Sequence, residues 1–145
     1  MFAQPGGDGL RWVAASGAKG IKSVSIILSP ELKRWHRERP TLLSRWLTLS
    51  TRPHAPSRFY TVRLHFVEPD DARPGERVFG VSLQGEQVIE RLDVAEEAGG
   101  PRRPLVKEFR GVEVADDLRV SLTATDDAAS KPPVLCGIEL LSEAW

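Results

Sequence analysis

Tyr60-Thr61-Val62-Arg63-Leu64-His65-Phe66-Val67-Glu68 is the stretch that decides the fold. Tyr60, Val62, Leu64 and Phe66 occupy alternate positions, with Thr61, Arg63 and His65 between them. Successive side chains of a strand point to opposite faces. The run therefore predicts a strand with one face in a core and one toward water. Pro69 through Gly75 breaks it.

The same alternation recurs downstream. Phe79, Val81 and Leu83 alternate with Gly80, Ser82 and Gln84, and Gln84-Gly85-Glu86 has the form of a tight hairpin returning through Gln87 to Leu92. Ala98-Gly99-Gly100-Pro101 is a second break. Leu105 to Val114 predicts another strand, with Lys107 and Glu108 toward solvent, and Asp116-Asp117 predicts a turn. Leu118, Val120 and Leu122 form one more apolar face, a polar loop runs from Thr125 to Pro133, and Val134, Cys136, Ile138 and Leu140 predict the last strand. Upstream, Leu10 to Leu28 holds two strand candidates, the second carrying Val24, Ile26 and Leu28, separated by a turn at Ser16 to Gly20. About eight strands with frequent turns predict an all-β antiparallel sandwich or barrel.

Composition agrees. The chain has 145 residues, 41% of them apolar and 28% charged, with 20 basic and 20 acidic side chains. That is ordinary globular usage and excludes a disordered polyelectrolyte or a helical membrane bundle. Zero net charge argues against a chain-wide grip on nucleic acid. A single cysteine, Cys136, forbids an internal disulfide, and its apolar strand context predicts an inert thiol. Residues 1–9 read as a flexible lead-in without the basic and apolar regions of a signal peptide, and residues 10–145 as one domain.

The exception to the strand pattern is residues 29–58. Ser29-Pro30-Glu31 predicts a helix start, with a short helix over residues 30–39 that Pro40 ends. Leu42, Leu43, Trp46 and Leu47 could continue as a second helical turn, and Arg45 to Thr51 could equally be a strand. Residues 31–58 hold seven basic and two acidic side chains, with Trp35 and Trp46 interleaved. Bases could stack on those rings, or the segment could cover a sheet with tryptophans inward and arginines in water. The cover is the ordinary reading.

Several chemistries fail on spacing. Gly17-Ala18-Lys19-Gly20-Ile21-Lys22-Ser23 lacks the glycine that a phosphate loop needs before its Lys-Ser. His65 and Glu68 stand three apart, which on a strand puts them on opposite faces, so they do not converge on a metal. His65 reads as a half-exposed strand residue. Asp70-Asp71, Glu96-Glu97, Asp116-Asp117 and Asp126-Asp127 all fall in predicted turns. One pair could hold a structural Ca²⁺ through its oxygens, but a local turn is the simpler use, and no cofactor is expected. No G-x-S-x-G elbow occurs, and nothing requires an enzyme.

Taken in order, these blocks resemble the malectin-like family of carbohydrate-binding β-sandwiches. Tyr60 to Glu68 is similar to its Y-x-V-x-L-H-F-x-E strand, and Gly75-Glu76-Arg77-Val78-Phe79 to its G-x-R-x-F segment. Gln84-Gly85 stands at its Asn-Gly hairpin, Leu92-Asp93-Val94 with Ala98-Gly99 at its D-[IV]…A-G segment, and Gly137-Ile138-Glu139-Leu140 at its closing strand. Trp12 to Ser23 looks like an earlier strand pair of some bacterial members. Gly80 departs from the family's usual Asp, and no residue here aligns with its N-terminal sugar-contacting aromatics.

The resemblance implies a jelly-roll or galactose-binding-like sandwich, a non-catalytic module for an oligosaccharide or polysaccharide, other domains alongside it, and an extracytoplasmic or envelope location. Trp35, His36 and Trp46 are the clustered candidates for stacking on a sugar face. Asp126 and Asp127, in the loop before the final strand, are the candidate acceptors for sugar hydroxyls. The alternative is a protein-interaction or structural sandwich that has lost its sugar site.

Overall fold

The computed structural model describes residues 17–28, 56–125 and 130–143. In chain order the described elements are β1 (Ala18–Lys19), β2 (Ser23–Ile27), β3 (Arg58–Val67), β4 (Val78–Leu83), β5 (Glu86–Asp93), α1 (Val94–Glu97), β6 (Pro104–Val114), β7 (Asp117–Ala124), β8 (Val134–Leu135) and β9 (Gly137–Ser142). They form a four-stranded sheet in the order β2-β7-β4-β5, a three-stranded sheet in the order β6-β3-β9, and a two-stranded pair of β1 with β8. Every pairing is antiparallel.

The two larger sheets face each other as a β-sandwich. Val62, Leu64 and Phe66 of β3 meet Phe79, Val81 and Leu83 of β4 and Leu118, Val120 and Leu122 of β7 in one buried cluster. Each of these side chains contributes about 1.5–3 kcal/mol by leaving water. The rings of Phe66 and Phe79 meet across the two sheets, with centroids 5.9 Å apart and planes tilted by 51°. Such a pair adds about 0.5–1.5 kcal/mol beyond its burial. The alternation legible in β3, β4 and β7 is thus what assembles the core.

The hairpin joining β4 to β5 turns at Gln84 (φ 54) and Gly85 (φ 83), both in the left-handed region. Glutamine is disfavoured there, and its side chain offsets the strain. Gln84 Nε2 donates to the carbonyls of Asp117 (3.0 Å) and Glu113 (3.3 Å), and Oε1 accepts from the Arg119 N–H at 2.8 Å. The amide thereby ties the hairpin to the point where the chain crosses from β6 to β7.

Four expectations are corrected. Ala18–Lys19 is a short strand on β8 rather than part of a turn, and the chain turns at Gly20 (φ 75). The last strand is two strands broken at Cys136, because β8 pairs with β1 while β9 pairs with β3. Glu96-Glu97 lie in α1 rather than in a turn, favourably placed at the positive end of that helix. His65 is 5% exposed rather than half exposed. It stands on the outer face of β3 between Val106 and the side-chain-free Gly137, and a strand's own alternation does not report what lies across it. The expected helix over 30–39 and the first upstream strand lie outside the described residues.

Candidate functional site

The conspicuous residues of the sequence blocks converge at one end of the sandwich, where β3, β5 and β7 end and β4 and β6 begin. Glu68 (0% exposed) leaves β3 and Arg77 (2% exposed) enters β4. Arg77 Nε donates to Glu68 Oε2 at 2.7 Å, and its Nη2 donates to Glu68 Oε1 at 3.3 Å and Asp70 Oδ2 at 2.7 Å. Arg77 Nη1 donates to the Pro132 carbonyl, and Glu68 Oε1 accepts from the Asp70 N–H. Lys19 extends the chain of charges to Asp70 at 2.6 Å.

Asp93 has a similar task nearby. Its side chain caps α1 by accepting from the Glu96 N–H at 3.1 Å and also accepts from the Gly75 N–H. The family-like residues here are buried and mutually satisfied, so they hold loops in place and present no free group to a ligand.

This end also anchors the loop of the predicted acceptors. Thr125 Oγ1 and Ser130 Oγ both donate to the Val78 carbonyl at 3.2 Å. Asp126 and Asp127 between them lie outside the described residues, as do Trp35, His36 and Trp46. None of the five is placed relative to the others. Among the described residues no group of three or more His, Cys, Asp or Glu is arranged to hold a metal ion. No described helix is long and apolar enough to cross a membrane. Cys136 is half-buried, and burial pushes its thiol above the ordinary value. His65 Nε2 has no hydrogen-bond partner among the described residues, and Glu139 Oε2 is 3.5 Å away. Glu68 points elsewhere, to Arg77, so the pair does not converge, as the strand spacing required.

Among the described residues an open cleft lies toward the opposite end. A cleft of about 670 Å³ runs between β5, the edge of the four-stranded sheet, and β6, the edge of the three-stranded sheet. That volume falls in the range of small-ligand sites, roughly 300–1,000 Å³. Leu83, Val88, Phe109 and Val112 line its apolar part, where the core reaches the surface. Phe59, 54% exposed, supplies an aromatic wall. Glu86, Glu108, Glu113, Gln84 and Arg110 supply the polar lining.

A bulge shapes this lining. The register of β6 on β3 jumps from Phe109–Val62 to Val112–Tyr60, leaving Arg110 and Gly111 opposite Thr61. Gly111 takes φ 67, which glycine adopts without cost. Glu143 fixes the bulge: its Oε1 accepts from the Gly111 N–H and the Thr61 hydroxyl, both at 2.8 Å, and these bonds hold its carboxyl below the ordinary value. Glu108 accepts from Arg63 Nε at 2.7 Å and Arg110 Nε at 2.8 Å; Arg110 foremost, then Arg63, lowers its pKa.

The sequence pattern puts Glu108 toward solvent and Glu86 at the end of a hairpin turn, and it marks none of Phe59, Glu86 and Glu113 as a ligand residue. Each reads as an ordinary strand or turn residue, and only the pairing of distant strands brings them together.

The Malectin domain model matches residues 53–131, which is 79 of the 145 residues. Two probable receptor-like protein kinases of Arabidopsis thaliana are 33% and 34% identical over 92 residues, 57% of this chain. The chain spans about a tenth of the length of these curated relatives, 11% and 10%.

Among solved structures, a calcium-binding mutant of Bacteroides uniformis beta-glucuronidase 2 superposes with a TM-score of 0.66 at 19% identity, over 99% of this chain and 13% of that one. The plant receptor-like kinase FER, in a complex with the peptide RALF23 and LLG2, superposes with a TM-score of 0.63 at 16% identity, over 98% of this chain and 36% of that one. At these identities the likeness is one of fold, shared by bacterial enzyme chains and plant receptor chains alike. With the ordered sequence blocks, the sandwich they build and a family match over more than half its length, the chain belongs to the malectin domain family.

Proposed function

We propose that this malectin-family domain is a non-catalytic carbohydrate-binding module, and that the cleft between β5 and β6 is a saccharide site. The observation that carries the reading is the exposed Phe59 ring in one cleft with the carboxylates of Glu86 and Glu113, which have no ion-pair partner among the described residues, over an apolar floor. The C–H face of a pyranose is apolar and packs on an aromatic ring, while its hydroxyls donate to carboxylate oxygens. The module needs no cofactor. It acts within a larger extracytoplasmic protein, in keeping with the extracellular domain of ANXUR1 among its structural neighbours. A glycan microarray tests the reading. It expects hits that share a linkage or terminal sugar, and a blank array from folded protein would remove it.

A second reading has its own support. Among the described residues β5 pairs only with β4 and β6 only with β3, so both keep a free edge. Such an edge can add an extended peptide as a further strand, and a structural neighbour is described in complex with a peptide. Binding of a peptide with no response to any saccharide would favour this reading.

A further inference from the structure

We infer that the Phe59 cleft selects saccharides that carry no negative charge. The inference rests on the carbohydrate-binding reading and goes further, to the class of glycan. Among the described residues three carboxylates line the cleft, Glu86, Glu108 and Glu113, against one cation, Arg110. That cation is already committed, because Arg110 Nε bonds Glu108 Oε1 at 2.8 Å. The other oxygen of Glu108 is held by Arg63. Glu86 and Glu113 have no ion-pair partner among the described residues, and both are exposed.

Among the described residues the lining therefore offers hydroxyl acceptors in excess and no uncommitted cation. A uronate or sulfate entering it would meet like charge with nothing to neutralise it. Its hydroxymethyl counterpart would instead donate to a carboxylate. At an exposed site this repulsion is modest, about one order of magnitude for two carboxylates at low salt, and added salt weakens it.

The experiment is calorimetric titration of the full chain with galactose oligomers and with galacturonate oligomers of the same linkage and length. These ligands differ at C6, hydroxymethyl against carboxylate. The neutral oligomer is expected to bind roughly tenfold tighter at low salt. The gap is expected to close in Glu86→Gln/Glu113→Gln and to narrow in about 0.5 M salt. Uronate binding as tight as, or tighter than, the neutral oligomer overturns the inference and leaves carbohydrate binding standing. A gap that survives in the double variant overturns the assignment to these carboxylates. If neither galactose nor galacturonate oligomers bind, the same titration is run with the microarray's strongest neutral hit and its uronate form. No binding to any saccharide overturns the functional reading itself.

Discussion

Arg77 meets Glu68 edge to edge in the interior, with Nε to Oε2 at 2.7 Å and Nη2 to Oε1 at 3.3 Å, and both side chains almost wholly out of water. The pair joins the first residue after β3 to the residue just before β4, two strands that belong to different sheets. It links the Tyr60–Glu68 block to the Gly75–Phe79 block, and its role is to hold the fold. Removing one partner strands a buried charge. Arg77→Met is expected to cost about 3–5 kcal/mol in urea unfolding, and Glu68→Leu/Arg77→Met together much less. Equal losses in the single and double variants would show that the pair is not the source of the effect.

Asp93 joins the N-terminus of α1 to the backbone of Gly75. Asp93→Ala removes both acceptors, and a loss of about 1–3 kcal/mol is expected in the same unfolding measurement. Asp93→Asn keeps one side-chain oxygen to accept and should retain more than half of that stability. Matching losses in the two variants would refute the capping role.

Among the described residues four surface carboxyls are held below their ordinary values, 3.8 for Asp and 4.5 for Glu. The leading causes are Lys19 at Asp70, the Arg73 N–H at Glu76, Arg110 at Glu108 and the Gly111 N–H at Glu143. Unfolding returns each to its ordinary value, so in acid the unfolded chain binds more protons. The stability these groups contribute is present above those ordinary values and lost as pH falls through the lowered ones. The melting temperature should therefore fall from about pH 4.5 downward. A midpoint unchanged between pH 5 and about pH 3 would contradict this.

Phe59 is exposed, so Phe59→Ala should change stability by no more than about 0.5 kcal/mol. Its saccharide affinity should fall at least about tenfold, the usual scale for losing an aromatic anchor. Circular-dichroism melting and titration on the same preparation separate the two effects. Unchanged affinity would remove the ring from the site.

Most of the sandwich was legible because β3, β4 and β7 each bury one face, and alternation reports that directly. The hairpin at Gln84-Gly85 was legible from its glycine. The break at Cys136 was not: Val134, Cys136, Ile138 and Leu140 keep perfect parity, and the interruption comes from a change of partner strand. His65 misled for a related reason, since its burial depends on the outer face of a sheet whose other members lie far away in sequence. The cleft was the least legible part. Phe59, Glu86 and Glu113 belong to three different strands, and nothing in any one of them marks a site. The sequence's own candidates, Trp35, His36, Trp46, Asp126 and Asp127, lie outside the described residues and await the same binding tests.

The most direct test of the central claim is to map, by amide chemical-shift perturbation, where an array-positive oligosaccharide binds. The account predicts saturable shifts at Phe59, at Gln84 to Val88 and at Glu108 to Glu113, lost in Phe59→Ala. Shifts confined to residues 68–77, 98–103 and 130–133 would place the sugar at the opposite end of the sandwich and contradict the cleft as its site.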